Sequence, residues 1–320
     1  MIYTITFNPA LDYYLTFENE LMEEEVNRVK TAFYKIGGKG LNVSSDLSLF
    51  GIPSSAIALI GGFTGSYIER SYDNHDLIRL IPIPVKGNTR INVKAHAVNR
   101  NIMMNDVGPE ADEATIDLVH EILNNLNPED WVLICGSLMR GITKQHIWSL
   151  AEHVHERGAK LVVDCEQIDL DDLKIIRPYL VKPNLHEIRI LTGRTDLSTE
   201  NIQSYLEKEN DIFAENILLS LGKHGALLKY GKCLYRMDQP DNVAINKVGA
   251  GDAMLAAFIG ELSIGKPVEE ALRWAGAAGN AVASTLEDID FQTIQHFYEL
   301  ISVDEIKEGE DVQNNISQNG

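Results

Sequence analysis

Trp131-Val132-Leu133-Ile134-Cys135 is an unbroken apolar run; Gly136-Ser137-Leu138 follows, then a helical stretch from Lys144 to Arg157, then Lys160-Leu161-Val162-Val163-Asp164. A short hydrophobic run bounded by turn residues reads as a strand buried on both faces, and two such runs joined by a helix read as parallel neighbours. The alternation continues with a strand at Tyr179 to Lys182, helices at Asn184 to Leu191 and Thr199 to Phe213, and strands at Asn216 to Leu221 and Gly225 to Tyr230. This pattern predicts a mostly parallel sheet with helices on both faces. Ligands of such sheets gather beyond the carboxyl ends of the strands, which makes Ser137 and the Asn184-Leu185-His186-Glu187 segment candidates.

Towards the C-terminus, Asn246-Lys247-Val248-Gly249-Ala250-Gly251-Asp252 stands directly before the apolar run Ala253 to Ile259. Small residues at a helix start leave backbone N–H groups bare, which is an anion site, and Asp252 in the first turn is placed to take a proton from an attacking hydroxyl. The same residues also read as an N-capped helix after a glycine turn. Asn184 and Glu187 are three apart and share a helix face, which suits either Mg²⁺ held through oxygen or a capping box. Ser220-Leu221-Gly222-Lys223-His224-Gly225 reads as a hairpin turn. Two Ala-rich helices follow, one ending near Ile264 and one from Pro267 to Ser284, and Glu308 to Gly320 reads as a disordered tail.

Towards the N-terminus, Tyr3 to Phe7 reads as a strand ending at Asn8-Pro9-Ala10-Leu11-Asp12, which puts the Asp12 carboxylate on the ligand edge. Asp12 to Phe17, Val26 to Ile36 and Arg90 to Val98 alternate polar and apolar residues, as strands of a small half-exposed sheet do, and Arg28 and Arg90 project from it. Gly37-Gly38-Lys39-Gly40-Leu41-Asn42-Val43 has neither the spacing of a phosphate-binding Walker loop nor that of a dinucleotide fingerprint. It reads as a glycine turn into a helix that gathers backbone N–H groups, Lys39 and Asn42 near one point. Ser54 to Ile60 is a further strand, leading through Gly61-Gly62-Phe63-Thr64-Gly65 into a short helix.

The 320 residues, 44% of them hydrophobic, suit one main domain with a smaller appendage. A net charge of −19 excludes a nucleic-acid backbone as partner, so a phosphate ligand must meet a local basic cluster. Cys135, Cys165 and Cys233 lack metal-ligand spacing and read as reduced thiols of a cytoplasmic protein, and no run is long enough to span a bilayer.

Asn8 to Asp12, Val26-Asn27-Arg28, Gly37 to Val43, Thr89-Arg90, Gly136-Ser137-Leu138, Lys182-Pro183-Asn184, Ser220-Leu221-Gly222 and Val248 to Asp252 together resemble the ribokinase-like (PfkB) carbohydrate kinases. More narrowly, they resemble the branch containing 1-phosphofructokinase and tagatose-6-phosphate kinase. The resemblance implies a three-layer α/β/α sandwich over 1–11, 37–87 and 105–305, a β-sheet lid over 12–36 and 88–104, and a tail over 306–320. It implies a homodimer through that lid, with ATP and Mg²⁺ as cofactors.

By position, Asp252 is the expected base, and Gly249, Ala250 and Gly251 form the anion hole. Asp12, Gly38, Lys39 and Asn42 hold the sugar, and Arg28, Arg90 and Ser137 hold its existing phosphate. Lys182, Asn184, Ser220, Gly222, Gly225 and Asn280 serve ATP, with Asn184 and Glu187 at the metal. The implied reaction is phosphorylation of a ketohexose phosphate, with fructose 1-phosphate going to fructose 1,6-bisphosphate. Tagatose 6-phosphate and fructose 6-phosphate are alternatives within the class, and a catalytically weak sugar-phosphate sensor is the alternative outside it. Ile102-Met103, Met139 and Glu166-Gln167 depart from the branch's usual residues near the site edge.

Overall fold

The computed structural model describes residues 1–208, 213–240, 248–285 and 288–306. Its strands are β1 (Ile2–Thr6), β2 (Ala10–Thr16), β3 (Thr31–Gly37), β4 (Ser54–Ile60), β5 (Ile78–Pro84), β6 (Arg90–His96), β7 (Asn101–Met104), β8 (Trp131–Cys135), β9 (Lys160–Asp164), β10 (Leu180–Val181), β11 (Asn216–Ser220), β12 (Ala226–Tyr230), β13 (Cys233–Asp238) and β14 (Ser302–Ile306). Its helices are α1 (Lys39–Leu49), α2 (Gly62–Ser71), α3 (Glu113–Leu123), α4 (Lys144–Glu156), α5 (Leu170–Ile176), α6 (Leu185–Thr192), α7 (Ile202–Lys208), α8 (Ala250–Ser263), α9 (Val268–Ala283) and α10 (Phe291–Tyr298).

Ten strands form one sheet in the order β14-β13-β12-β11-β10-β9-β8-β1-β4-β5. The pairs from β5 across to β11 are parallel, and β12 to β14 extend the sheet with antiparallel pairs. Both faces of the sheet are covered. Val132 and Ile134 pack with side chains of α3 to α7, while Trp131, Leu133 and Cys135, on the other face of the same strand, pack with α1, α8, α9 and α10. That two-sided burial is why β8 is apolar at every position. Leu133 is fully buried, and truncating such a residue to alanine typically costs ~2–5 kcal/mol.

The chain leaves β1 for β4 and β5 on one side and returns to β8 on the other, so a crevice opens beyond Thr6 and Cys135. The second sheet has the order β3-β2-β6-β7; β2 and β3 fall between β1 and α1 in the chain, and β6 and β7 between β5 and α3. A three-layer α/β/α sandwich with a small sheet is the fold that the resemblance implied.

Some elements differ from the sequence reading. Val26 to Ile36 is a strand only from Thr31, because the Asn27 side chain bonds Met22 N and O and the Glu25 carbonyl, which holds this segment in a turn. Ile306, expected to open the tail, is the last residue of edge strand β14; the rest of the tail lies outside the described residues, as do Asn246 and Lys247. Among the described residues no helix is long and apolar enough to cross a membrane.

Candidate active site

Gly249 caps α8 with φ of 85°, a left-handed conformation that glycine adopts freely. The first-turn N–H groups of Ala250, Gly251 and Asp252 have no acceptor within the helix and carry the positive end of its dipole. Asp252 is buried, and Asn42 Nδ2 of α1 donates to its Oδ2 at 2.8 Å. Burial, then the nearby Asp164 carboxylate, push the Asp252 carboxyl up to about 6, against the opposing pull of Asn42, Lys182 and Lys39. This is a carboxylate still mostly ionised near neutrality but more basic than an exposed one.

Beside it lies a charged cluster at the carboxyl ends of β9 and β10. Asp164, 5% exposed, lies between two lysines: Lys39 Nζ is 3.2 Å from its Oδ1 and Lys182 Nζ is 3.4 Å from its Oδ2. Glu166 is 3.9 Å from Lys39. Burial works to lower the Lys39 ammonium, but Asp164, Asp252 and Glu187 outweigh it and hold the charge firmly. Lys182 sits close over the first turn of α8, since a Cβ on Gly251 would lie 3.0 Å from its Nζ. Cys135, beneath this cluster, is held far above the usual thiol range by burial and by Asp164.

On the small-sheet side, Asp12 lies against the backbone of Gly37, where a Cβ would come within 2.9 Å of its carboxyl group. It accepts from Asn92 Nδ2 at 2.9 Å and from Lys94 Nζ at 2.5 Å. Gly38, with φ of 119°, caps α1 next to Lys39 and fits against Thr6 and Pro9, leaving no room for a side chain. Ser137 accepts weakly from Asn8 Nδ2 at 3.5 Å. Gln167 Oε1 accepts from the neighbouring Leu138 N–H at 3.2 Å, which ties this departure from the branch pattern to the loop after β8.

Arg28 and Arg90 part company. Arg90 is half-buried, with Nη2 on the Asn8 carbonyl at 3.0 Å and Nη1 on the Asp106 carbonyl at 3.4 Å; burial pulls its guanidinium below its ordinary value. Arg28 is exposed in the segment before β3 and does not project from a strand as expected.

The remaining expected positions follow α6 and the strands beside it. Asn184 Oδ1 accepts from the His186 and Glu187 N–H groups, and Glu187 Oε2 accepts from Asn184 N at 2.8 Å: the capping box is formed. Ser220 pairs with Asn184 across a bridge, and Gly222 and Gly225 bound the turn of the β11–β12 hairpin. Only glycine fits at 225, where a Cβ would lie 1.9 Å from the Met237 carbonyl oxygen. Asn280 is buried in α9 and donates to Gly276 O at 2.9 Å.

Three residues enter the site that sequence reading passed over: Asp164, Asn92 and Lys94. Asp164 had a signal, since it ends β9 on the ligand edge. Lys94 had none, because a lysine in an alternating strand reads as a solvated residue.

A pfkB family carbohydrate kinase profile matches residues 6–293. The chain is 31% identical over 307 residues to 1-phosphofructokinase of Borreliella burgdorferi, covering 96% of this chain and 99% of that one. It is 35% identical over 284 residues to D-tagatose-1-phosphate kinase of Bacillus licheniformis, covering 88% and 92%. The solved structure of phosphofructokinase-2 from Escherichia coli in complex with fructose-6-phosphate superposes with a TM-score of 0.84 at 25% identity, covering 93% and 98%. The chain belongs to the pfkB family of carbohydrate kinases, enzymes that transfer a phosphoryl group to a sugar hydroxyl.

Proposed function

We propose that this kinase uses ATP and Mg²⁺ to phosphorylate a ketohexose 1-phosphate, with fructose 1-phosphate as acceptor and fructose 1,6-bisphosphate as product. The observation that carries the reading is a concentration of unsatisfied buried polar atoms. Among the described residues, Thr6 Oγ1, Asn8 Oδ1, Arg90 Nε and Asn92 Oδ1 are buried without a hydrogen-bond partner, and Asp164 Oδ2 has only its ion pair with Lys182; all lie at the carboxyl edge of the sheet or on β6 of the small sheet. Buried polar atoms are rarely left unpaired, and a polyhydroxylated phosphate ester would satisfy several at once. D-Tagatose 1-phosphate is the second reading, favoured by the 35% identical relative of that activity.

In this reading Asp252 takes the proton as the acceptor O–H breaks and the new P–O bond forms, while the bond from the γ-phosphorus of ATP to its bridging oxygen breaks and ADP leaves; the first turn of α8 stabilises the charge on the transferring group. Lys39 and Lys182 orient and neutralise phosphate oxygens, and the Gly222–Gly225 turn, Ser220 and Asn280 border the nucleotide. The donor set fits Mg²⁺, since Asp164 Oδ2 and the Glu187 oxygen outside the cap are hard oxygen ligands. Asn184 spends its amide oxygen on the cap and would orient Glu187. The ion would supply charge neutralisation at the ATP phosphates. Phe33 and Tyr34 of β3, 44% and 45% exposed, support a homodimer through the lid.

A coupled ADP-release assay over ketose 1-phosphates, ketose 6-phosphates and free sugars tests the proposal. Turnover of free sugars in preference to phosphorylated ones would overturn it, and binding without turnover would point to a sensor.

A further inference from the structure

Asp12 presents a problem that the family assignment leaves open. A carboxylate that recognises sugar hydroxyls must present its oxygens in a fixed direction, and this one, 7% exposed, must be fixed by the side chains around it. Its surroundings answer this through three strands. In the register of the small sheet Asp12 stands beside Asn92, and Tyr14 beside Lys94, so the side chains of β2 and β6 converge on one face. Lys94 Nζ reaches Asp12 Oδ2 and Tyr14 Oη at 3.1 Å, and lies 4.9 Å from the centre of the Tyr14 ring. That ring is itself fixed between Phe33 of β3, 5.1 Å away, and His96 of β6, 6.2 Å away. The lysine side chain is only 12% exposed, so its ammonium is held on this shelf rather than solvated.

We infer that Lys94 is a positioning residue for the acceptor: it holds the Asp12 carboxylate in one orientation, and through Asp12 it sets hydroxyl recognition rather than binding the acceptor's phosphate. Asn92 takes the other carboxylate oxygen and leaves its own Oδ1 without a partner, so a hydroxyl bridging Asp12 and Asn92 would complete the set. A second phosphate-binding cation at this point would gain little, because its charge is already matched by Asp12 at 2.5 Å.

The inference rests on the kinase reading above, and the test separates the two. Wild type, Lys94→Met and Lys94→Arg are compared for kcat and KM with phosphorylated and free ketoses and for KM with ATP. Lys94→Met should lower kcat/KM roughly 10- to 150-fold for phosphorylated and free acceptors alike, with ATP KM little changed. Lys94→Arg, which keeps a cation beside Asp12, should restore most of the loss. A loss confined to phosphorylated acceptors would make Lys94 a phosphate ligand and overturn the inference, as would a Lys94→Arg variant no better than Lys94→Met. Should Lys94→Met fail to fold, Lys94→Arg decides alone: equal small losses on both acceptor classes support the role, and a loss on phosphorylated acceptors only refutes it. Failure of wild type to phosphorylate any ketose would instead strike the functional assignment.

Discussion

The amide of Asn42 on α1 and the carboxylate of Asp252 on α8 meet at 2.8 Å, joining the helix at the proposed sugar site to the helix that carries the proposed base. The bond favours the ionised carboxylate, so it opposes the burial that raises Asp252 to about 6. Because the base works only when deprotonated, kcat/KM should fall on the acid side with a limb near 6. Asn42→Ala should shift that limb to higher pH. Asp252→Asn should lower kcat by at least ~10²-fold with little change in KM. A near-normal kcat in that variant would reduce Asp252 to a helix cap.

Glu187 holds the start of α6 with one oxygen and offers the other towards the phosphates in the proposed reading. Glu187→Gln keeps a cap acceptor but removes the charge, so the Mg²⁺ concentration for half-maximal rate should rise. Unchanged Mg²⁺ dependence with a lower melting temperature would leave only the structural role.

Arg90→Ala should raise KM for the sugar phosphate by roughly 10- to 150-fold, the range a charge-assisted hydrogen bond spans, with a small effect on ATP KM. Its contacts with the Asn8 and Asp106 carbonyls predict a loss of thermal stability as well. Arg90→Lys should recover only part of the binding loss, since an ammonium lacks the planar fork. Arg28→Ala, by contrast, should leave a lone protomer's stability unchanged. The Arg90 assignment fails if sugar-phosphate KM does not move.

Far from the crevice, His120 of α3 and His153 of α4 face each other with their Nδ1 atoms 3.2 Å apart, one donating and one accepting. Burial, then His153, hold His120 below its ordinary value, with His146 adding to the effect and Asp117 opposing it. The unfolded chain therefore binds more protons than the folded one below the ordinary histidine range. Stability should decline as pH falls from about 6.5, the unperturbed histidine value, and urea midpoints of His120→Asn should show a shallower decline over that window.

The parts of the fold that were legible are those where one physical demand dominates. β4, β8 and β9 match their expected bounds residue for residue, because strands buried on both faces carry unbroken apolar runs: Ala56 to Ile60 in β4, all of β8, and Leu161 to Val163 in β9. β5 went unread because Pro82 and Pro84 argue against a strand; it tolerates them as an edge strand paired on one side only. The Asn184–Glu187 spacing could not separate a metal site from a cap, since both use the same helix face, and it takes the bonds of the Asn184 and Glu187 side chains to backbone N–H groups to show the cap. Lys94 was invisible for a related reason: what it does depends on Asp12, 82 positions away in the chain.

Asp164 also bears on how substrates arrive. By pairing with Lys39 at 3.2 Å and Lys182 at 3.4 Å, with the Asp252 carboxylate close to both, it leaves the crevice floor with little net positive charge to project into solvent, on a protein whose net charge is −19. Two polyanions must therefore diffuse towards a like-charged body without a guiding field. Where steered enzymes slow as salt is added, the encounter rate here should quicken with ionic strength as long-range repulsion is screened over the ~10 Å Debye length of 0.1 M salt.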